Sequence, residues 1–425
     1  MADPRDPPKG RIGRLARLAS VGARSGARLL LNRDADDAAK HAAEVLGNLR
    51  GLATKVGQMA SYIDGVVPEG QRDSYEHWLG KLQSAAHQST PEAIRGQVVA
   101  ELGRPVDELF EEWDDTPLAS ASIGQVHRAR LPDGRPVAVK VQHPGVAEAV
   151  EADLRNAGLL ETALAAVAGT RRFESKRVLE EIRERFREEL DYTLEAERQQ
   201  RFATLFAGDD QVVIPEVVGD HCTQRVLTTT FVEGLSLDEA RARPEAERAV
   251  WCETLWHFVY KASLVGKLFN ADPHPGNYFF QPDGRVAFLD YGCVQPVDPG
   301  RSVHACDLHR ASHRGDLAAF REAGKRMLDL QGGPYEVRAL EYVELCFAPL
   351  FESPYRMSRD YVSTLVAEMK RLALDFRKGK DDGYVPLPPG VFFLNRLQFG
   401  FYSVLARLDA PADYRSVERR FLGDA

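Results

Sequence analysis

The chain lacks any long hydrophobic run. None of its apolar stretches approaches the roughly 20 residues that cross a bilayer, and the most apolar late stretch, Val391 to Leu408, is interrupted by Asn395, Arg396, Gln398 and Arg407. Cysteine is sparse: Cys222, Cys252, Cys293, Cys306 and Cys346 stand apart, with no Cys-x-x-Cys spacing and no adjacent His pair. That pattern argues against a disulfide framework or a zinc site and for a reducing compartment. The N-terminus has no apolar region ahead of a cleavage site, so no secretory signal is expected. Internal repeats and low-complexity tracts are missing too. Excess positive charge is also lacking: the formal net charge is -8, which gives no global attraction to nucleic acid.

The remaining composition is that of a globular protein, 44% hydrophobic and 28% charged over 425 residues, enough chain for two or three domains. Charge is polarised. Residues 1–33 hold Arg5, Lys9, Arg11, Arg14, Arg17, Arg24, Arg28 and Arg33 against only Asp3 and Asp6. From Gly10 to Leu31 this segment reads either as a basic amphipathic helix on an anionic membrane surface or as a solvated basic arm. Its Arg-rich composition also allows a mitochondrial presequence, against which Asp3 and Asp6 speak.

Helical periodicity follows over Asp34 to Ile63, which ends near Lys55-Val56-Gly57-Gln58, and then over Pro68 to Ala86 and Pro91 to Leu102. Pro91 after Ser89-Thr90 is a helix-start signal. The period then changes. Ala119-Ser120-Ala121-Ser122-Ile123-Gly124-Gln125-Val126-His127 leads through a Pro132-Asp133-Gly134-Arg135 turn to Val137-Ala138-Val139-Lys140, a hairpin pattern. A lysine ending such a strand either contacts phosphate or is simply solvated. Ala147 to Ala168 and Glu174 to Leu205 read as long helices, the second with an acidic run through Glu189, Asp191 and Glu195. Asp191 and Glu195 are one turn apart, and Glu195 is the candidate partner of Lys140. Val212 to Ile214 and Arg225 to Val232 read as strands completing the same small sheet, with Glu233-Gly234 as a hinge. Ala246 to Leu268 reads as a helix, apolar at Val250, Leu255, Phe258, Val259, Ala262 and Val265. Beyond Pro299 the chain is helical, broken at Gly332-Gly333-Pro334 and at Pro386 to Pro389.

The stretch from Asn270 to Gly292 carries the chemistry. Asp272 and Asn277 stand five apart, and Asp290 follows a Pro282-Asp283-Gly284 turn. One carboxylate placed for a substrate hydroxyl, with an Asn and a second carboxylate offering hard oxygens to Mg²⁺, is the layout of a phosphoryl-transfer loop. A polar turn followed by a hairpin has the same local pattern.

With these motifs in this order, the chain resembles the UbiB/ADCK (aarF-domain) family of atypical kinases from about Asp34 to about Gly292. The resemblance implies an α+β, protein-kinase-like two-lobe fold: a small β-rich N-lobe, a helical C-lobe, an N-terminal helical extension and extra C-terminal helices. It divides the chain into a basic tail (1–33), an extension with the Lys-x-Gly-Gln motif (34–115), an N-lobe with inserted helices (116–232) and a C-lobe (233–425). It implies that Lys140 contacts the α- and β-phosphates and pairs with Glu195. Asp290 and Asn277 would hold Mg²⁺, and Asp272 would be the catalytic base. Ala119, Ser120, Ala121, Ser122 and Gln125 would form an Ala-rich loop over the nucleotide. Lys55, Gln58, Glu189 and Asp191 would be family-specific regulatory residues facing the nucleotide region.

Two departures from ordinary protein kinases bear on activity. Ala and Ser restrict a loop where Gly normally lets backbone approach phosphate, and the catalytic loop reads Asn270-Ala271-Asp272 without His-Arg. The expected function is therefore ATP or ADP binding with Mg²⁺ and slow ATP turnover, or small-molecule or lipid-linked phosphotransfer, and not phosphorylation of proteins in trans. The resemblance also implies a role in ubiquinone or other isoprenoid-lipid metabolism, with contact to an isoprenoid lipid or a peripheral membrane surface. The expected setting is the bacterial cytoplasm beside the inner membrane, the alternative mitochondrial. An aminoglycoside/choline-type small-molecule kinase and a non-catalytic nucleotide-binding scaffold remain as rival readings.

Overall fold

The computed structural model describes residues 88–121, 123–155, 184, 187–378 and 391–422. The basic tail, the expected helices at Asp34 to Ile63 and Pro68 to Ala86, and the break at Pro386 to Pro389 lie outside them. The principal elements begin with α1 (Pro91–Leu102), β1 (Glu112–Trp113), β2 (Ala119–Ser120), β3 (Gly124–Arg130), β4 (Pro136–Gln142), α2 (Val146–Arg155), α3 (Tyr192–Leu205), β5 (Val212–Val213) and β6 (Val226–Thr230). Next come α4 (Leu237–Arg241), α5 (Glu245–Leu264), β7 (Leu268–Asn270), β8 (Tyr278–Phe280), β9 (Val286–Phe288) and β10 (Val294–Pro296). The chain closes with α6 (Pro299–Arg314), α7 (Leu317–Leu328), α8 (Gly333–Cys346), α9 (Arg359–Lys378), α10 (Val391–Leu408) and α11 (Tyr414–Leu422). The described residues fall into two compact units. One runs to Glu197 and includes Glu216–Phe231; the other holds Arg198–Pro215 and everything from Val232 onward.

The first unit is built on an antiparallel sheet in the order β1-β3-β4-β6, with β2 beside β3. The β3–β4 hairpin turns at Pro132-Asp133-Gly134-Arg135, where Gly134 supplies φ +86°. The Asp133 carboxylate accepts both the backbone N–H and the Nε–H of Arg135. Alternation along β4 sends Val137, Val139 and Val141 into a core with Ile94 and Val98 of α1. Lys140 is therefore on the opposite face. Helix α1 starts as its signal predicts, with Thr90 accepting from Ala93 N–H and Pro91 in the first turn, and ends on Gly103 at φ 71°.

In the second unit α5 is buried nearly all round, through Trp251, Cys252, Thr254, Leu255, Trp256, His257, Phe258, Val259 and Ala262. Of the six apolar positions expected along it, Leu255, Phe258, Val259 and Ala262 are buried, whereas Val250 and Val265 are 41% and 45% exposed. The enclosed stretch is central, and both exposed valines lie outside it. The expected strand at Val212 does not complete the first unit's sheet. As β5 it pairs in parallel with β9, Val212 opposite Val286, beside the β8–β9 hairpin. Two valines carry no register information that could select one sheet over another.

Glu418 of α11 is fully buried and accepts hydrogen bonds from Trp256 Nε1 (2.8 Å), His309 Nδ1 (2.8 Å) and His313 Nε2 (2.9 Å). Burial alone would raise its pKa, but the two imidazoles hold it below the usual glutamate value. Its contribution to stability is therefore full above the ordinary glutamate range and is lost as pH falls through the depressed value. Glu418→Ala strips three buried donors of their acceptor and should cost about 3 kcal/mol in urea unfolding at neutral pH; a loss near zero would show that α11 is held by apolar packing alone.

Candidate phosphoryl-transfer site

The segment from Asn270 to Gly292 is bracketed by the antiparallel pair β7 and β10, with Asn270 opposite Val294 and Phe269 opposite Gln295. Ala271 N–H donates to Cys293 C=O at 2.7 Å, which closes the bracket one step further in. Inside lies the β8–β9 hairpin, turned by Pro282-Asp283-Gly284-Arg285, the same tetrapeptide as in the first unit. It is held the same way, with Asp283 accepting from Arg285 N–H and Nε–H. Beneath the segment Phe288 stacks on Phe258 at 3.6 Å, Tyr278 meets the edge of Phe288 at 5.6 Å, and Tyr291 packs against Phe202 at 5.0 Å.

The polar groups are set by a chain of backbone bonds. His274 N–H donates to Asp272 C=O (2.8 Å), Asn277 N–H to His274 C=O (2.9 Å), and Leu289 N–H to Asn277 C=O (3.0 Å). Asn277 Nδ2 donates to Asp272 C=O at 3.1 Å, which turns its carboxamide oxygen the other way. Asp290 Oδ1 accepts Gly292 N–H at 2.9 Å, and Arg198 Nη1 donates to Gly292 C=O at 2.7 Å. Tyr278 and Tyr291 lie below as neutral phenols, their pKa values raised by burial first and then by the charges of Asp272 and Asp290. One carboxylate and one amide oxygen are hard donors that suit Mg²⁺ arriving with phosphate ligands of its own. Among the described residues no group of three or more His, Cys, Asp or Glu is arranged to hold a metal unaided.

In the first unit Lys140 Nζ lies 2.8 and 2.9 Å from the two carboxylate oxygens of Glu195, whose side chain is only 3% exposed. The ammonium also sits 4.9 Å above the ring of buried Tyr192. Residues 55 apart in sequence are thus brought together as the resemblance implied. The Ala-rich loop is short: Ala119 and Ser120 pair with Val126 and Gln125, and Ala121 N–H donates to Gly124 C=O at 2.8 Å. Ser122, Lys55 and Gln58 lie outside the described residues. Gln125 is 1% exposed with its amide engaged inside the unit, Oε1 by Ser89 N–H (3.0 Å) and Nε2 by His127 Nε2 (2.8 Å). Its side chain thus holds the loop from within. Asp191 is not inside a continuous helix. Its Oδ1 caps α3 by accepting from Thr193 and Leu194 N–H, and Leu190-Asp191 breaks the expected Glu174–Leu205 helix. Glu189 sits half-buried just before that break.

A family model for the ABC1 atypical kinase-like domain matches residues 81–323. The chain belongs to the ABC1 atypical kinase-like family. It is 28% identical over 381 residues to the atypical kinase coq-8, mitochondrial, of Caenorhabditis elegans, covering 86% of this chain and 48% of that protein. It is 32% identical over 287 residues to mouse AarF domain-containing protein kinase 1, covering 65% and 53%. This ABC1-family chain spans about half the length of such curated relatives. Among solved structures it is similar to Rv3197 of Mycobacterium tuberculosis, determined with erythromycin, at TM-score 0.64 and 26% identity, covering 89% of this chain and 94% of that one. The fold is accordingly α+β and kinase-like, with a small antiparallel-sheet unit and a mainly helical one. Among the described residues no helix is long and apolar enough to cross a membrane.

Three polar residues that hold these segments went unread in the sequence. Asn270 joins Asp272 and Asp290, and its signal was an Asn two residues before a loop amide, the Asx-turn spacing. Arg198 and His143 had no local signal. His143 spans Ser89 Oγ (2.9 Å) and Ala121 C=O (3.1 Å), tying the Ala-rich loop down. Gly124 is the loop's tight point: a Cβ there would lie 2.5 Å from Val141 C=O and 2.7 Å from Tyr192 Oη. Gly124→Ala should cost about 2 kcal/mol in denaturant unfolding, whereas an unchanged midpoint would mean that the loop yields without resistance.

Proposed function

We propose that this chain is an atypical kinase-type protein that binds ATP or ADP with Mg²⁺ and turns ATP over slowly, passing the phosphoryl group to water or to a small or lipid-linked acceptor. The observation that carries the reading is the Lys140–Glu195 pair. A buried carboxylate holds a strand lysine that the family resemblance assigns to the α- and β-phosphates. In this reading Asn277 and Asp290 supply the protein oxygens for Mg²⁺, and Asp272 takes the proton of the attacking hydroxyl. Mg²⁺ held there would supply positive charge to offset that of the phosphates. Ala119, Ser120, Ala121 and Ser122 cover the nucleotide mainly with backbone. Lys55, Gln58, Glu189 and Asp191 are proposed to regulate access to it.

The relatives named coq-8 and COQ8B are mitochondrial. The family resemblance adds a role beside ubiquinone or another isoprenoid lipid, with peripheral membrane contact, in mitochondria or at a bacterial inner membrane. The domain limits 1–33, 34–115, 116–232 and 233–425 belong to the same proposal.

Thermal shift with Mg-ATP and assay of phosphate release test it. Asp290→Asn should abolish the Mg²⁺-dependent part of the stabilisation while leaving the unliganded melting temperature close to wild type. Stabilisation by no nucleotide overturns the reading, and stabilisation without phosphate release favours the scaffold. Ala121→Gly should alter nucleotide affinity or preference through backbone freedom; identical binding and turnover would remove the loop from the phosphates.

A further inference from the structure

Asn270 ends β7, where pairing with Val294 fixes its backbone. Its carboxamide works in two directions: Oδ1 accepts Asp272 N–H at 3.1 Å, and Nδ2 donates to Asp290 C=O at 2.5 Å. One planar group thus ties the segment proposed to hold the base to the segment proposed to hold the metal ligand. We propose that Asn270 is a positioning residue that sets the Asp290 carboxylate for the metal–nucleotide complex. This rests on the reading of Asp290 as a Mg²⁺ ligand.

The argument is one of orientation. Asp290 has no helix or strand hydrogen-bond ladder of its own. Its peptide is held through its carbonyl by Asn270, and the following Gly292 is held through its N–H by Asp290 Oδ1 and through its carbonyl by Arg198. If the first of these links is lost, the 290–291 peptide plane can rotate, the Gly292 N–H moves with the chain beyond it, and the carboxylate that accepts this N–H is drawn along. Mg²⁺ demands near-ideal octahedral geometry, so a turned ligand binds worse even though its charge is unchanged. Among short side chains, only Asn donates and accepts through one rigid plane. Asp would keep the acceptor toward Asp272 N–H, but would face Asp290 C=O with a second acceptor.

Asn270→Asp in the full chain therefore separates the two halves of the clip. Amide hydrogen exchange without nucleotide or metal should be unchanged in the peptide bearing Asp272 N–H and about tenfold faster across 286–294. With ATP, the Mg²⁺ concentration giving half-maximal thermal stabilisation should rise about tenfold, while stabilisation by ATP in chelator stays as in wild type. Asn270→Ala, which removes both bonds, should speed exchange in both peptides and serves if the Asp variant misfolds. Unchanged exchange across 286–294, or a half-maximal Mg²⁺ concentration unmoved within about twofold, overturns the role. A wild-type chain with no Mg²⁺-dependent stabilisation overturns the metal reading itself, which the exchange arm, needing no ligand, distinguishes from failure of the clip.

Discussion

The Asn270–Gly292 segment of the second unit depends on a stacked pair of rings. Phe258 on α5 and Phe288 on β9 lie with centroids 3.6 Å apart and planes at 12°. Phe202 of α3 extends the contact from Phe258, and Tyr291 packs in turn on Phe202. Irregular backbone carrying carboxylates gains little from regular hydrogen bonding, so it needs a rigid floor. Large buried aromatic rings supply one, since each removes wide apolar area from water at low conformational cost. Asp290 follows Phe288 by two residues, and its placement is inherited from that floor. Leu289 N–H on Asn277 C=O then fixes the two arms of the segment against each other.

Charge in the first unit obeys a different logic. Glu195 is almost wholly desolvated while Lys140 keeps 22% of its side chain exposed. Taking a carboxylate out of water is costly, and the attraction of one ammonium roughly offsets that cost. The pair is therefore weak as a source of stability and strong as a constraint. Lys140 is held in one orientation by two oxygens and an aromatic face, an arrangement suited to meeting a further anion. A lysine in a surface pair would lose the same side-chain entropy for a gain of well under about 1 kcal/mol.

Much of the fold was legible because its signals are local. The Thr90-Pro91 start of α1, the β3–β4 hairpin and the β8–β9 hairpin each follow from residues within a few positions of one another. The repeated Pro-Asp-Gly-Arg turn folds identically in both units because Asp accepts from its own Arg and Gly alone takes the positive φ. What misled was pattern without partner. Val212 and Val213 read as a strand and are one, yet the strand they join, β9, lies far along the chain, with Val212 opposite Val286. Asp191 read as part of a helical face but caps the next helix, because Asp competes for backbone N–H groups.

Residue types and order alone established the family, the hairpins, the Lys140 strand and the spacing of Asp272, Asn277 and Asp290, since each depends on neighbours along the chain. Tertiary structure alone decided that Gln125 faces inward, and that Asn270 and Arg198 hold the backbone around Asp290. Those contacts join residues from 20 to 94 positions apart, or depend on burial from several sides. No local propensity encodes such pairings; they follow from the packing of whole elements.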